Sequence, residues 1–152
     1  MYSARLVKED FLAVKRIVKA TLRHEKRPEV QYLLRKFEKS LEAVNRCLLN
    51  WKHECDEFEV ISDTGMLEFQ LLRVLGDYEL FAKEYPVLPE RDMLLEFYFN
   101  VRRFVAVLEN MDGKYRTYLD YDEERNFIAV YEFEKENQLF KIVKMFFDKK
   151  EK

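Results

Sequence analysis

Leu94-Leu95-Glu96-Phe97-Tyr98-Phe99-Asn100-Val101-Arg102-Arg103-Phe104, continued through Val105 to Met111 and closed by Asp112-Gly113, opens the stretch that decides the fold. Its apolar residues recur at three- and four-residue spacing, the period of a helix with one buried face. Gly113 supplies the stop, because glycine takes the left-handed conformation that ends helices without a Cβ penalty. Three alternating runs follow, Tyr115 to Tyr121, Phe127 to Phe133 and Leu139 to Phe147. Tyrosine, threonine and phenylalanine at period two fit half-buried strands. The expectation is a helix that feeds directly into a three-stranded antiparallel β-meander.

Working back from that stretch, three more helices are expected. The first covers about 7–23, with Val7, Phe11, Val14, Val18 and Leu22 on its apolar face. Pro28 opens the second, since its missing N–H costs nothing in a first helical turn. This helix is expected over 28–57. Val30, Leu34, Phe37, Leu41, Val44, Leu48, Trp51 and Cys55 step along it by fours and threes, a coiled-coil-like seam. Ser62-Asp63-Thr64-Gly65 breaks the chain, with Asp63 or Thr64 as N-cap, and a third helix follows over 66–83. Gly76 weakens it by ~1 kcal/mol against alanine unless close packing explains it. Tyr85-Pro86-Val87-Leu88-Pro89 turns the chain into the fourth helix, expected over 90–111. The fold class is therefore α+β and mainly α. A single domain over 1–152 holds an antiparallel four-helix bundle-like array, followed by the meander. An up-down-up-down path sets that meander at the end where the chain starts.

Composition excludes several functions. Three glycines among 152 residues leave no material for a phosphate cradle, and no Gly-x-x-x-x-Gly-Lys-Ser/Thr loop occurs. With no acidic box for magnesium either, no catalytic residue can be named, and the chain alone is not expected to hydrolyse ATP. Cys47 and Cys55 lack the close pairing of a zinc or iron–sulfur site, so no metal ligands are assigned. The acidic run Asp120 to Glu124 lacks the glycine and glutamate that a calcium loop needs further on. No run is long and apolar enough for a membrane span. Two cysteines and no signal peptide read as cytoplasmic.

The net charge of −2 hides an asymmetry. Residues 1–54 carry 13 Lys/Arg against 7 Asp/Glu, and residues 55–112 carry 5 against 13. The candidate binding residues lie mostly in the basic part: Lys15, Lys19, Arg23, Lys26 and Arg27, then Arg35 and Lys36. Cations arrayed like this contact phosphates without reading bases. The bland alternative is a solvated charged face. Arg102 and Arg103 form a second candidate, equally able to pair with Glu96 or Glu109. Tyr118, on the strand face opposite Tyr115, Thr117 and Leu119, is the aromatic most suited to stack on a base.

The order Leu-Glu-Phe-Tyr-Phe from Leu95, a helix, Lys-Tyr-Arg-Thr-Tyr-Leu-Asp from Lys114, then Leu-Phe-Lys-Ile-Val-Lys-Met-Phe-Phe-Asp from Leu139 resembles the arch insertion of DinG/XPD-type DNA helicases. The resemblance implies a non-catalytic accessory domain of an ATP-dependent DNA repair helicase. Such a domain forms one wall of the opening through which single-stranded DNA passes. It further implies that ATP and magnesium belong to the motor domains of a parent protein, which would be partners together with weakly held, sequence-independent single strands. Relatives continue past the last strand with an Asp-Pro or Asn-Pro turn, whereas Asp148 here precedes Lys149-Lys150-Glu151-Lys152. That departure suggests an excised insert or a stand-alone relative. The competing expectation is a stand-alone helical protein–protein interaction module. It would dock partners through the seam of the second helix or the acidic middle. An exposed seam would favour that module, and a buried seam with a continuous basic surface would favour the arch.

Overall fold

In a computed structural model the described backbone comprises residues 5–54, 58–61, 65–109, 115–121, 126–134, 139–142 and 145–147. Side chains are described for residues 6–50 and 66–109. Four helices take up more than half of the chain: α1 (Lys8–His24), α2 (Pro28–Glu54), α3 (Gly65–Glu84) and α4 (Arg91–Glu109). The fold is mainly helical.

Ion pairs and ring contacts fix how the helices run. Lys15 meets Glu42 at 3.0 Å and Lys19 meets Glu38 at 3.6 Å, so α2 descends as α1 climbs. Lys36 lies 4.0 Å from Asp77, and Arg27 bonds Glu84 at 3.2 Å, so α3 is antiparallel to α2. The Tyr98 hydroxyl donates to Glu79 across α3 and α4 at 2.9 Å. The Phe11 and Phe97 rings, 5.0 Å apart and edge to face, bring α1 against α4. Successive helices thus pack antiparallel, and this ring pair links α1 to α4.

Its core is the one that periodicity marks out. The seam residues Val30, Leu34, Phe37, Leu41, Val44 and Leu48 are all buried. The side chains of Trp51 and Cys55 lie outside the described residues. Phe11, Val14 and Val18 enter from α1, Leu67, Leu71, Val74, Tyr78 and Phe81 from α3, and Phe97, Val101 and Phe104 from α4. At 27 residues, α2 is a rod of about 40 Å, packed by α1 on one side and α3 on the other. Over its described length, Val30 to Leu48, the seam is internal.

The backbone departs from a three-stranded meander. Six short strands form one sheet: β1 (Arg5–Val7), β2 (Phe58–Ile61), β3 (Tyr115–Tyr121), β4 (Asn126–Glu134), β5 (Leu139–Ile142) and β6 (Met145–Phe147). Their order is β2-β3-β6-β1-β4-β5, with β4 also bonded to β3 and β6. The run from Leu139 to Phe147, expected as one strand, is therefore two. β5 pairs antiparallel with β4, whereas β6 pairs parallel with β3 and β1. The cause is one of length. β4 outlasts its pairing with β3, which ends at Ala129, and Phe127 and Ile128 are left to other partners. β1 and β6 take them. Val7, Phe127 and Phe146 are mutually paired, so the sheet curls on itself there.

Helix ends need small corrections. Val7 belongs to β1, and its extended backbone (φ −111°, ψ 121°) precedes a helix with no side-chain cap. A valine has no oxygen to offer the first free N–H groups. The caps expected at Asp63 or Thr64, and the stop at Gly113, lie outside the described residues.

Candidate nucleic-acid interface

The cations named from sequence divide into three groups. Lys15 and Lys19 are bridged to Glu42 and Glu38 on α2, Lys36 lies near Asp77, and Arg27 is held by Glu25 and Glu84. Arg102 sits over the Tyr98 ring, 5.7 Å from its centroid. Arg23, Lys26, Arg35 and Arg103 are exposed, and their side chains have no ion pair among the described residues. The structure thus does not present one continuous basic stripe. Part of the stripe serves as glue between antiparallel helices. The partly exposed Lys15–Glu42 and Lys19–Glu38 bridges contribute on the order of 1 kcal/mol or less each, so they reopen for a phosphate at little cost. The side chain of Tyr118 lies outside the described residues, although its backbone is in β3.

The three-residue turn joining α1 to α2 carries the densest polar cluster. The Glu25 N–H closes α1 by donating to the Thr21 and Leu22 carbonyls at 3.1 and 3.3 Å. Its carboxylate accepts the N–H groups of Lys26 and Arg27 at 3.0 and 3.1 Å, and the Arg27 guanidinium in a fork at 3.1 and 3.0 Å. The hydroxyl of Tyr85, at the end of α3, donates to the same carboxylate. Gln31 of α2 donates to the Glu25 carbonyl at 2.7 Å. One carboxylate therefore ties α1, α2 and α3 together at this end. Arg27 is the principal cause that holds the Glu25 carboxyl low, at about 2, followed by the Tyr85 hydroxyl. Tyr85 is itself pushed up to about 12, by burial first and then by its bond to Glu25. Arg27, occupied twice over, is the least available of the candidate phosphate ligands.

The sign of the pH effect follows. The Glu25 carboxyl is lowered on folding from an ordinary 4.5 to about 2. Its contribution is complete above pH 4.5 and is lost as pH falls through that interval. Glu25→Gln is expected to lower the melting temperature at pH 7 and to flatten the loss of stability between pH 5 and pH 2 (about that window). Thermal melts of both proteins across this range check it. Parallel curves would show that the latch does not couple to folding.

Beside this cluster, a groove of roughly 430 Å³ runs between the end of α3 and the start of α4. Tyr78, Leu88, Leu94 and Leu95 line it with Lys83 and Arg91. Tyr78 and Tyr98 stack at 4.8 Å beside it, both with pKa raised by burial. Neither ring can serve as a base near neutral pH. Cys47 is half-buried, and its thiol is pushed up to about 11 by burial, which suppresses the reactive thiolate. Among the described residues, no three His, Cys, Asp or Glu side chains converge as metal ligands. Nor is any helix there long and apolar enough to cross a membrane.

Of the aromatics, Phe97 and Phe104 are core, Tyr98 is half-buried, and Phe99 is exposed. Sequence reasoning did not find the Glu25–Arg27–Tyr85 cluster. Its members lie about sixty residues apart, with no periodicity to connect them. The only local hint is that Arg27 and Tyr85 each precede a proline, where helices start and stop. Compared with protein-family models, curated proteins and solved structures, the chain matches none.

Proposed function

We propose that this chain is a non-catalytic, arch-type accessory module of an ATP-dependent DNA helicase, guiding single-stranded DNA past the motor. The observation that carries the reading is the placement of β1 beside β6. These first and last strands of the described chain are parallel neighbours, paired at Val7 and Phe146. A module whose incoming and outgoing strands lie together can be set into a loop of another domain without separating that loop's ends. The helices then project as a rod of about 40 Å, long enough to form a wall. Burial of the α2 seam from Val30 to Leu48 is the half of the arch expectation that supports a wall, while ion pairs interrupt the basic stripe that was the other half. ATP and magnesium would be held by motor domains of the parent protein.

DNA contact falls to the candidate cations with no carboxylate partner among the described residues, Arg23, Lys26, Arg35 and Arg103, with Lys15 and Lys19 recruited only by opening their bridges. Such contact is indifferent to sequence and sensitive to salt. Changing Arg23, Lys26 and Arg35 together to glutamate is expected to weaken binding to a single-stranded oligothymidine. The log–log salt slope should flatten by about 0.7 for each phosphate that is no longer neutralised. Lys15→Glu with Lys19→Glu should change that slope less. Fluorescence anisotropy across a salt titration reads both. An unchanged slope in the triple variant, or no binding at low salt, would overturn the reading.

A further inference from the structure

We propose that two copies of this chain dock through the outward face of α3, antiparallel, about a two-fold axis at Gly76. The surface is distinct from the cations assigned to DNA, and the inference does not depend on them.

α3 is apolar on two sides. Leu67, Leu71, Val74, Tyr78 and Phe81 face the core and are buried. At 3.6 residues per turn, Phe69, Leu72, Gly76, Leu80 and Lys83 fall on the opposite arc. There Phe69 is 58% exposed, Leu72 45% and Leu80 44%. Single exposed apolar residues need no explanation, but three on one stripe form a patch.

Gly76 sits at the middle of that stripe. A glycine within a helix costs ~1 kcal/mol against alanine, because its backbone has more freedom to lose. Close packing inside the protein would justify it, but a Cβ built at Gly76 meets nothing within 4 Å. The fold does not require glycine here. A second helix crossing at this point would. Helices normally pack 8–10 Å apart, roughly as their contact side chains dictate, and glycine at the crossing lets the backbones come closer.

The flanking residues identify the second helix as another α3. In an antiparallel pair centred on Gly76, residues equally far before and after it come level with one another. Leu72 is then level with the partner's Leu80, and Phe69 with the partner's Lys83. These layers pair apolar with apolar and ammonium with an aromatic ring. Lys83 is exposed and makes no ion pair among the described residues, so its charge is available. Beside the stripe, Arg73 and Glu84 share one flank, while Glu68 and Glu79 share the other. One flank attracts its copy and the other repels it, which leaves the association to the stripe itself. An isologous interface needs a stripe that complements itself when reversed, and an unrelated partner would have no reason to produce one.

Sedimentation equilibrium on the full chain tests this. The wild type is expected to be in monomer–dimer equilibrium with a micromolar dissociation constant. Gly76→Leu should leave a folded monomer, judged by circular dichroism. Gly76→Ala should weaken the dimer about tenfold or more while holding or raising the monomer's melting temperature, since alanine favours the helix. Opposite signs on the two measurements are what separate this from a general folding defect. Phe69→Lys alone, which sets two ammonium groups level, should weaken association. Phe69→Lys with Lys83→Phe should restore it, because the exchange recreates the same layer in reverse. Both positions are exposed, so neither change disturbs the core. A wild type that stays monomeric at ~1 mM, or a dimer indifferent to Gly76→Leu, would overturn the proposal.

Discussion

Replacing Phe37 with alanine is expected to lower the unfolding free energy by about 3–5 kcal/mol, among the largest effects of any single truncation in this chain. Phe37 is entirely buried on the α2 seam. Its ring lies 5.5 Å from Phe81 and 6.3 Å from Tyr78, both on α3. Removing it withdraws apolar contact from both helices and leaves a cavity that four packed helices can only partly collapse. Aromatic pairs add ~0.5–1.5 kcal/mol beyond the area they bury, so Phe37→Leu should recover most but not all of the loss. Against a typical total of about 5–15 kcal/mol, the alanine variant would unfold readily. Urea titration of both variants measures the difference. A loss under ~1 kcal/mol for alanine would show that the seam is not the centre of the core.

Phe11→Ala is expected to cost a similar 3–5 kcal/mol (about), but with a different coupling. Phe11 is the α1 ring that meets Phe97 of α4 edge to face, and it links the first helix to the last. α1 and α4 also carry the contacts to the sheet, α1 through β6 and α4 through β1. Loosening this pair should therefore weaken sheet and bundle together. A double-mutant cycle with Phe97→Ala should return a coupling of about 0.5–1.5 kcal/mol, whereas a cycle of Phe11→Ala with Phe37→Ala tests whether the two sides act independently. Full additivity between Phe11 and Phe97 would mean that the ring contact contributes nothing beyond its area.

The helices were legible because one rule serves each of them. Residues three and four apart share a face, and a buried face must be apolar. The steps from Val30 to Leu48 marked both the helix and its burial. Strand partners were not legible in the same way. Alternation in Leu139 to Phe147 shows that the backbone is extended, but not which edge it meets, and the run divides between two neighbours. β1 and β2 are three and four residues long, too short for a pattern, and they exist because β4 and β3 have open edges for them. The candidate interface suffered from the opposite problem. Lys15 and Lys19 form a plain stripe in the sequence, yet their carboxylates arrive from α2 only once that helix doubles back. Gly76 was visible as a weak point, and its explanation lies outside a single copy of the chain.

The adjacency of β1 and β6 also decides how the module would bear a load. If the module is set into a motor as proposed, tension would enter through one of these strands and leave through the other. Because they run parallel, opposite pulls on the start of β1 and the end of β6 slide one along the other at the Val7–Phe146 pairing. Antiparallel neighbours pulled from adjacent ends would instead unzip bond by bond. A tug on the base would be taken up by the curl around Val7, Phe127 and Phe146, and the wall would keep its shape.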